Sequence, residues 1–191
     1  MSKTHRLVMV AVLSAISFLL MFFSFSIIPG ANFLKIEFSI IPVLLGLVLL
    51  DLKSAYLILM VRTLLKLILN NSGVNDFVGL PMNVIALGLF VTVFAFIWNQ
   101  KRTGKQYIGA SIIASIVLTA SMLFLNYCYA IPLYGKFANF DIKAYIGISK
   151  YLVSMILPFN LIEGIIFAIS FYFLYIACQP LLERYRNQYE R

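Results

Sequence analysis

The stretch from Leu7 to Ile28 reads LVMVAVLSAISFLLMFFSFSII, carries no charged side chain and closes at Pro29-Gly30. At a rise of ~1.5 Å per residue it is long enough to cross the ~30 Å hydrocarbon core of a bilayer as a helix. A secretory signal would have a shorter apolar core and a small-residue cleavage site, so this run is read as the first of several membrane helices, kept in the mature protein. The rest of the chain agrees. Of its 191 residues 62% are hydrophobic and 12% charged, against about 45–50% and about 25% in a soluble domain. That balance excludes a water-soluble fold.

Working outward, Pro, Gly and polar clusters divide the chain into six apolar segments, at about 7–28, 38–50, 54–69, 81–98, 107–131 and 146–178. The expected fold is an all-α integral membrane protein, one domain of six transmembrane helices over residues 1–191 with no internal repeat. The fourth segment is expected to begin near Pro81, where a proline in the first turn costs nothing. Fifteen Lys and Arg against seven Asp and Glu give a net charge of +8. In a membrane chain this sets orientation and does not signal nucleic acid. With the N-terminus inside, nine cations (Lys3, Arg6, Lys53, Lys101, Arg102, Lys105, Arg184, Arg186, Arg191) fall on the cytoplasmic side. Four (Lys35, Lys136, Lys143, Lys150) fall outside, so both termini are expected in the cytoplasm.

Several chemistries are missing. No phosphate-binding G-x-x-x-x-G-K-[ST] loop and no G-x-G-x-x-G occurs. The only histidine, His5, lies in the N-terminal tail, which leaves no zinc site and no His-activated nucleophile. The seven carboxylates offer no adjacent acid and base pair. An enzyme is not expected, and no metal or catalytic residue is assigned. Cys128 and Cys178 sit in apolar runs near opposite span ends, where packed thiols are expected and a disulfide is not.

Polar residues at membrane depth are costly and therefore informative. In the sixth segment Glu163 lies near mid-depth, and Arg62 of the third lies at a similar height. The two are expected either to pair or to leave Glu163 for a ligand. Pro158, in Leu157-Pro158-Phe159-Asn160-Leu161-Ile162-Glu163-Gly164, frees the carbonyl of Ser154 and kinks the helix. Asn160 and Glu163, three apart, share a face. Asn83 and Asn126 lie toward the outer ends of the fourth and fifth segments. Each alone reads as a cap or an interhelical bond, worth ~0.6 kcal/mol on average; together they suggest a pocket in the outer half of the bundle.

Leu34-Lys35-Ile36-Glu37-Phe38-Ser39-Ile40 alternates apolar and polar residues, which reads either as an extended cover over that pocket or as the unwound start of the second helix. Apolar and aromatic walls with a few placed hydrogen-bonding groups suit a mid-sized ligand with a flat ring and a polar tail. Ala11 and Ala15 form a small-x-x-x-small pair that lets another helix approach, within the bundle or from a partner. Ser111 and Ser115 repeat the spacing and read as internal packing.

The stretches from Leu34 to Pro42, Leu125-Asn126-Tyr127 and Leu157 to Gly164 resemble the riboflavin-specific substrate-capture subunits, or S components, of bacterial energy-coupling-factor (ECF) transporters, over essentially the whole chain. The resemblance implies a multi-pass protein of the bacterial plasma membrane. Such a subunit binds riboflavin, with flavin mononucleotide a second candidate, near the outer face under the first outer loop. Import would need a transmembrane coupling subunit and two cytoplasmic ATPases, which fits the missing phosphate loop. It also implies that Asn126 and Asn160 hydrogen-bond the vitamin, that Leu34 and Lys35 belong to the cover, and that Ala11 and Ala15 form the docking face. Where the family pattern has a basic residue three positions after the motif asparagine, this chain has Glu163. Alternatives are a capture subunit for thiamine or biotin and a solitary small-molecule carrier.

Overall fold

A computed structural model describes residues 2–29, 31, 33–98 and 103–189, with side chains to position 180. Among these, helix α1 (Lys3–Leu20) leads to a two-stranded ribbon, β1 (Ser24–Ser26) and β2 (Lys35–Glu37). There follow α2 (Ile40–Leu49), α3 (Leu52–Leu69), α4 (Val74–Trp98) and α5 (Gly104–Leu125). A π-helical turn, Asn126–Ala130, carries α5 into α6 (Ile131–Phe137). Short helices α7 (Ile142–Tyr145) and α8 (Ile148–Tyr151) precede a second π-helical turn, Leu152–Ile156, and the long α9 (Leu157–Tyr189). Among the described residues four stretches are long and apolar enough to cross a membrane: Lys3–Leu20, Val74–Trp98, Gly104–Phe137 and Ile148–Pro180. Helix α2 is apolar but short, ten residues, and α3 carries Lys53, Arg62 and Lys66 among its 18.

The first apolar run is not one helix. Helix α1 stops at Leu20, and Ser24–Ser26 pairs antiparallel with Lys35–Glu37 in the register Ser24↔Glu37, Phe25↔Ile36, Ser26↔Lys35. Phe-Phe-Ser-Phe-Ser at 22–26 alternates with period two, a strand pattern that the overall hydrophobicity hides. Of the two readings of 34–40 the chain takes the extended one: Ile36 is fully buried while Lys35 is exposed. Helix α4 starts seven residues before Pro81, which lies inside the helix. Proline there deprives the Phe77 carbonyl of its donor, and the Tyr129 hydroxyl points to that oxygen at 3.5 Å. Lys101, Arg102 and Arg191, and the side chains of Arg184 and Arg186, lie outside the described residues.

One end of the bundle is filled with rings. Phe90, Phe94, Trp98, Phe167 and Phe171 are almost completely buried, and most meet edge to face at centroid separations of 5–6 Å, such as Trp98–Tyr107 at 5.2 Å and Phe94–Phe171 at 6.0 Å. Helices α5 and α9 approach closely at Gly164, where an added Cβ would stand 3.0 Å from the Cα of Ser115. Ser115 is buried there, as internal packing requires, and its hydroxyl donates to Ser111 O at 2.7 Å. Ala11 and Ala15, in contrast, are exposed on the side of α1 away from buried Val10, Leu13, Ser14 and Ser17.

Candidate ligand site and its cover

The end opposite the rings gathers the polar groups, because α4 begins there, α5 ends there and α9 begins there. Asn126 is buried at the first position of a π-helical turn, and Asn160 is fully buried one turn into α9, just after the other. A π turn widens the helix by one residue and commonly marks a functional position. Here the second turn absorbs Pro158, whose ring cannot accept an α-helical neighbour four residues back.

The asparagines are held differently. Asn126 Nδ2 donates to Met122 O at 2.8 Å, and its Oδ1 accepts from the Tyr151 hydroxyl at 2.7 Å. Asn160 Nδ2 donates to Ile156 O at 2.7 Å, but its buried Oδ1 accepts nothing among the described residues. Glu163, one turn along the same face, is 7% exposed. Buried polar atoms are nearly always paired, so an acceptor left open beside a buried carboxylate invites donors from outside the chain.

Arg62 does not pair with Glu163. Its guanidinium, with no exposure, binds Glu37 Oε1 at 3.0 Å, Ser39 Oγ, and Asn83 Oδ1. Asn83 is thus engaged by an arginine of the neighbouring helix. Height along the helices matched Arg62 with Glu163, but the last residue of β2, Glu37, supplies the carboxylate that Arg62 binds. Ser39 donates to Glu37 Oε1 at 2.8 Å, and the Ser17 hydroxyl of α1 reaches Ser39 O at 2.5 Å.

The cover belongs to the same end. Leu34 packs against both the main core and an outer cluster of Ile142, Tyr151 and Ile156, while Lys35 stays exposed. Phe33 lies over Tyr151 with ring centroids 6.2 Å apart and planes 29° apart. Sequence reasoning missed Tyr151, which no polar motif marks, and it read Glu37 only as the polar step in an alternation. A groove of about 660 Å³ runs elsewhere, between α5 and α9 along Ile112, Ser115, Ile165 and Ile169. Its lining is apolar apart from hydroxyls such as those of Ser111 and Ser115, which serve their own helix, so it offers little to a polar ligand. Among the described residues no group of three His, Cys, Asp or Glu is placed to hold a metal.

Residues 5–175 match the family model of the ECF transporter substrate-specific component. The riboflavin transporter RibU of Streptococcus thermophilus is 52% identical over 182 residues, covering 95% of this chain and 86% of its own. RibU of Leuconostoc mesenteroides is 43% identical over 97% of each chain, and the riboflavin transporter FmnP of Bacillus subtilis 28% identical over 97% of each. A solved structure of the S component of a bacterial ECF transporter superposes with a TM-score of 0.78 at 32% identity, covering 95% of this chain and 99% of that one.

Proposed function

Because this chain belongs to the substrate-specific components of ECF transporters, we propose that it captures riboflavin at the outer face of the bacterial membrane for import driven by partner subunits. It is a multi-pass membrane protein and a transporter component, not an enzyme. Riboflavin itself comes from the relatives, and the observation that carries its placement is the open Oδ1 of Asn160, buried beside Glu163 at the covered end of the bundle. The ribityl hydroxyls and the ring N–H of riboflavin are donors of the kind the Asn160 oxygen lacks. Phe33 and Tyr151 offer aromatic faces next to Asn126. Leu34 anchors the cover, and Asn83 supports the site through Arg62 without facing the ligand.

In this reading six segments span, α2 and α3 among them, and both termini are cytoplasmic. Lys3, Arg6, Lys53 and Lys105 then mark the inner side. The exposed Ala11 and Ala15 of α1 form the face that meets a transmembrane coupling subunit, which works with two cytoplasmic ATPases.

Titration of detergent-purified protein with riboflavin tests the reading: flavin fluorescence should be quenched in a saturable manner, and an unquenched titration would overturn it. Competition with thiamine and biotin should leave the quenching unchanged. Ala11→Trp and Ala15→Trp should abolish uptake in cells while binding persists; uptake that survives both would indicate a solitary carrier.

A further inference from the structure

A three-residue, two-stranded ribbon is marginal by itself, and here β1 is exposed along its whole length. The position of β2 therefore depends on what holds it from below. Packing of the fully buried Ile36 and of Leu34 does so, the Ser17 hydroxyl of α1 reaches Ser39 O, and Arg62 of α3 binds Glu37 and Ser39 with one terminal nitrogen and Asn83 of α4 with the other. Three residues from two other parts of the chain, Glu37 and Ser39 beside the cover and Asn83 of α4, converge on one planar cation of α3. Simple packing does not require this arrangement, because apolar residues of similar size usually hold a bundle at least as well as a buried ion pair. The network is also incomplete, since Nε of Arg62 is buried without an acceptor, an expense that a purely structural brace has no reason to carry. What a charged, hydrogen-bonded clamp adds is register: it closes only when Glu37 and Ser39 sit in one place.

We propose that Arg62 is a positioning residue that sets the lifetime of the closed cover, so that the Glu37–Arg62 clamp governs how fast bound ligand leaves without touching it. The inference rests on the reading that riboflavin lies beneath this cover. Lys66, one turn further along α3, bonds Asn70 and faces Asp76 at 3.3 Å. Among the described residues its hydrogen bonds and ion pair lie away from the cover, and it serves as a control.

The test has two arms. In the first, riboflavin association and dissociation are followed separately by stopped-flow fluorescence for the unmodified protein and for Glu37→Gln, Ser39→Ala, Arg62→Lys and Lys66→Met. Glu37→Gln should speed dissociation about tenfold, the scale of one weakened bond to a charged group, with association changed by less than about twofold. Arg62→Lys, which keeps the charge and loses the planar fork, and Ser39→Ala should lie between, and Lys66→Met should match the unmodified protein. Unchanged dissociation in Glu37→Gln and Ser39→Ala variants that melt normally would overturn the proposal. Should the larger changes prevent folding, Ser39→Ala, which removes one hydroxyl, still decides.

The second arm needs no ligand. Ile36→Cys, with Cys128 and Cys178 replaced by serine, should react slowly with a membrane-impermeant maleimide, and adding Glu37→Gln should raise the rate about tenfold. Equal rates would sink the clamp even if riboflavin binds. A faster rate in protein that never quenches riboflavin would uphold the clamp and overturn the ligand.

Discussion

Two arginine–carboxylate pairs tie α3 to its neighbours, and they differ in nearly everything except chemistry. At the start of α3, Arg6 of α1 grips both oxygens of Asp51 at 2.5 and 2.7 Å and Ser54 Oγ at 3.0 Å, with the paired side chains 42% and 44% exposed. Ten residues into α3, Arg62 meets Glu37 at a longer 3.0 Å with exposures of 0% and 16%. The shorter contact is the weaker tie. Water and ions screen the first and substitute for either partner, so such a pair is worth about 0–1 kcal/mol. At the second site nothing replaces a lost partner, and the survivor is a stranded buried charge. Local dielectric, not distance, ranks them.

The largest effect should follow from breaking the inner pair on one side only. Arg62→Met should lower unfolding stability by about 3–5 kcal/mol, read as a drop in melting temperature in detergent, whereas Arg62→Met with Glu37→Gln should recover most of it. Equal losses in the single and double variants would contradict the stranded-charge account. Next comes the open acceptor: Asn160→Leu should weaken riboflavin binding roughly tenfold or more, measured by titration, with little loss of stability because an unpaired buried oxygen disappears. Tyr151→Phe, which removes the donor to Asn126 and keeps the ring, should cost about three- to tenfold in binding.

The smallest effect belongs to the outer pair. Partial burial pushes the Asp51 carboxyl up, but the hydrogen bonds from Ser54 and the Arg6 charge outweigh it and hold the group below its ordinary value. A lowered folded pKa means that its contribution is complete above the unfolded carboxylate value of ~3.9 and is lost as pH falls through the folded value. Asp51→Asn should therefore cost at most ~1 kcal/mol at neutral pH. Its melting temperature should converge with that of the unmodified protein once the pH has fallen through the lowered folded value, and a gap that persists in further acid would show another cause.

The helical membrane character was legible from composition and run length, and Pro158 with Asn160 pointed to the covered end because a proline and an amide are expensive in a bilayer. Other features were not. The strand at Ser24–Ser26 hid inside a run apolar enough to read as helix. The partner of Arg62 was misjudged because rise per residue fixes a height and says nothing of which way a side chain faces. Tyr151 shows its role only through Asn126, across 25 residues of sequence. The placement of Asn160 and Glu163 on one face needed only their spacing.

The two π-helical turns carry one further consequence. Each is a helix that has taken in a single extra residue, and the downstream face turns by ~100° relative to an uninterrupted α-helix. Removing one residue between Leu152 and Ile156 would close the π turn, press the Pro158 ring against the carbonyl four residues back and swing the Asn160 face relative to Tyr151. No side chain in the pocket would have been mutated, yet its acceptors would point elsewhere. Chain length between Tyr151 and Pro158 is thus a determinant of the site in its own right, and an indel there is a more drastic edit than most substitutions.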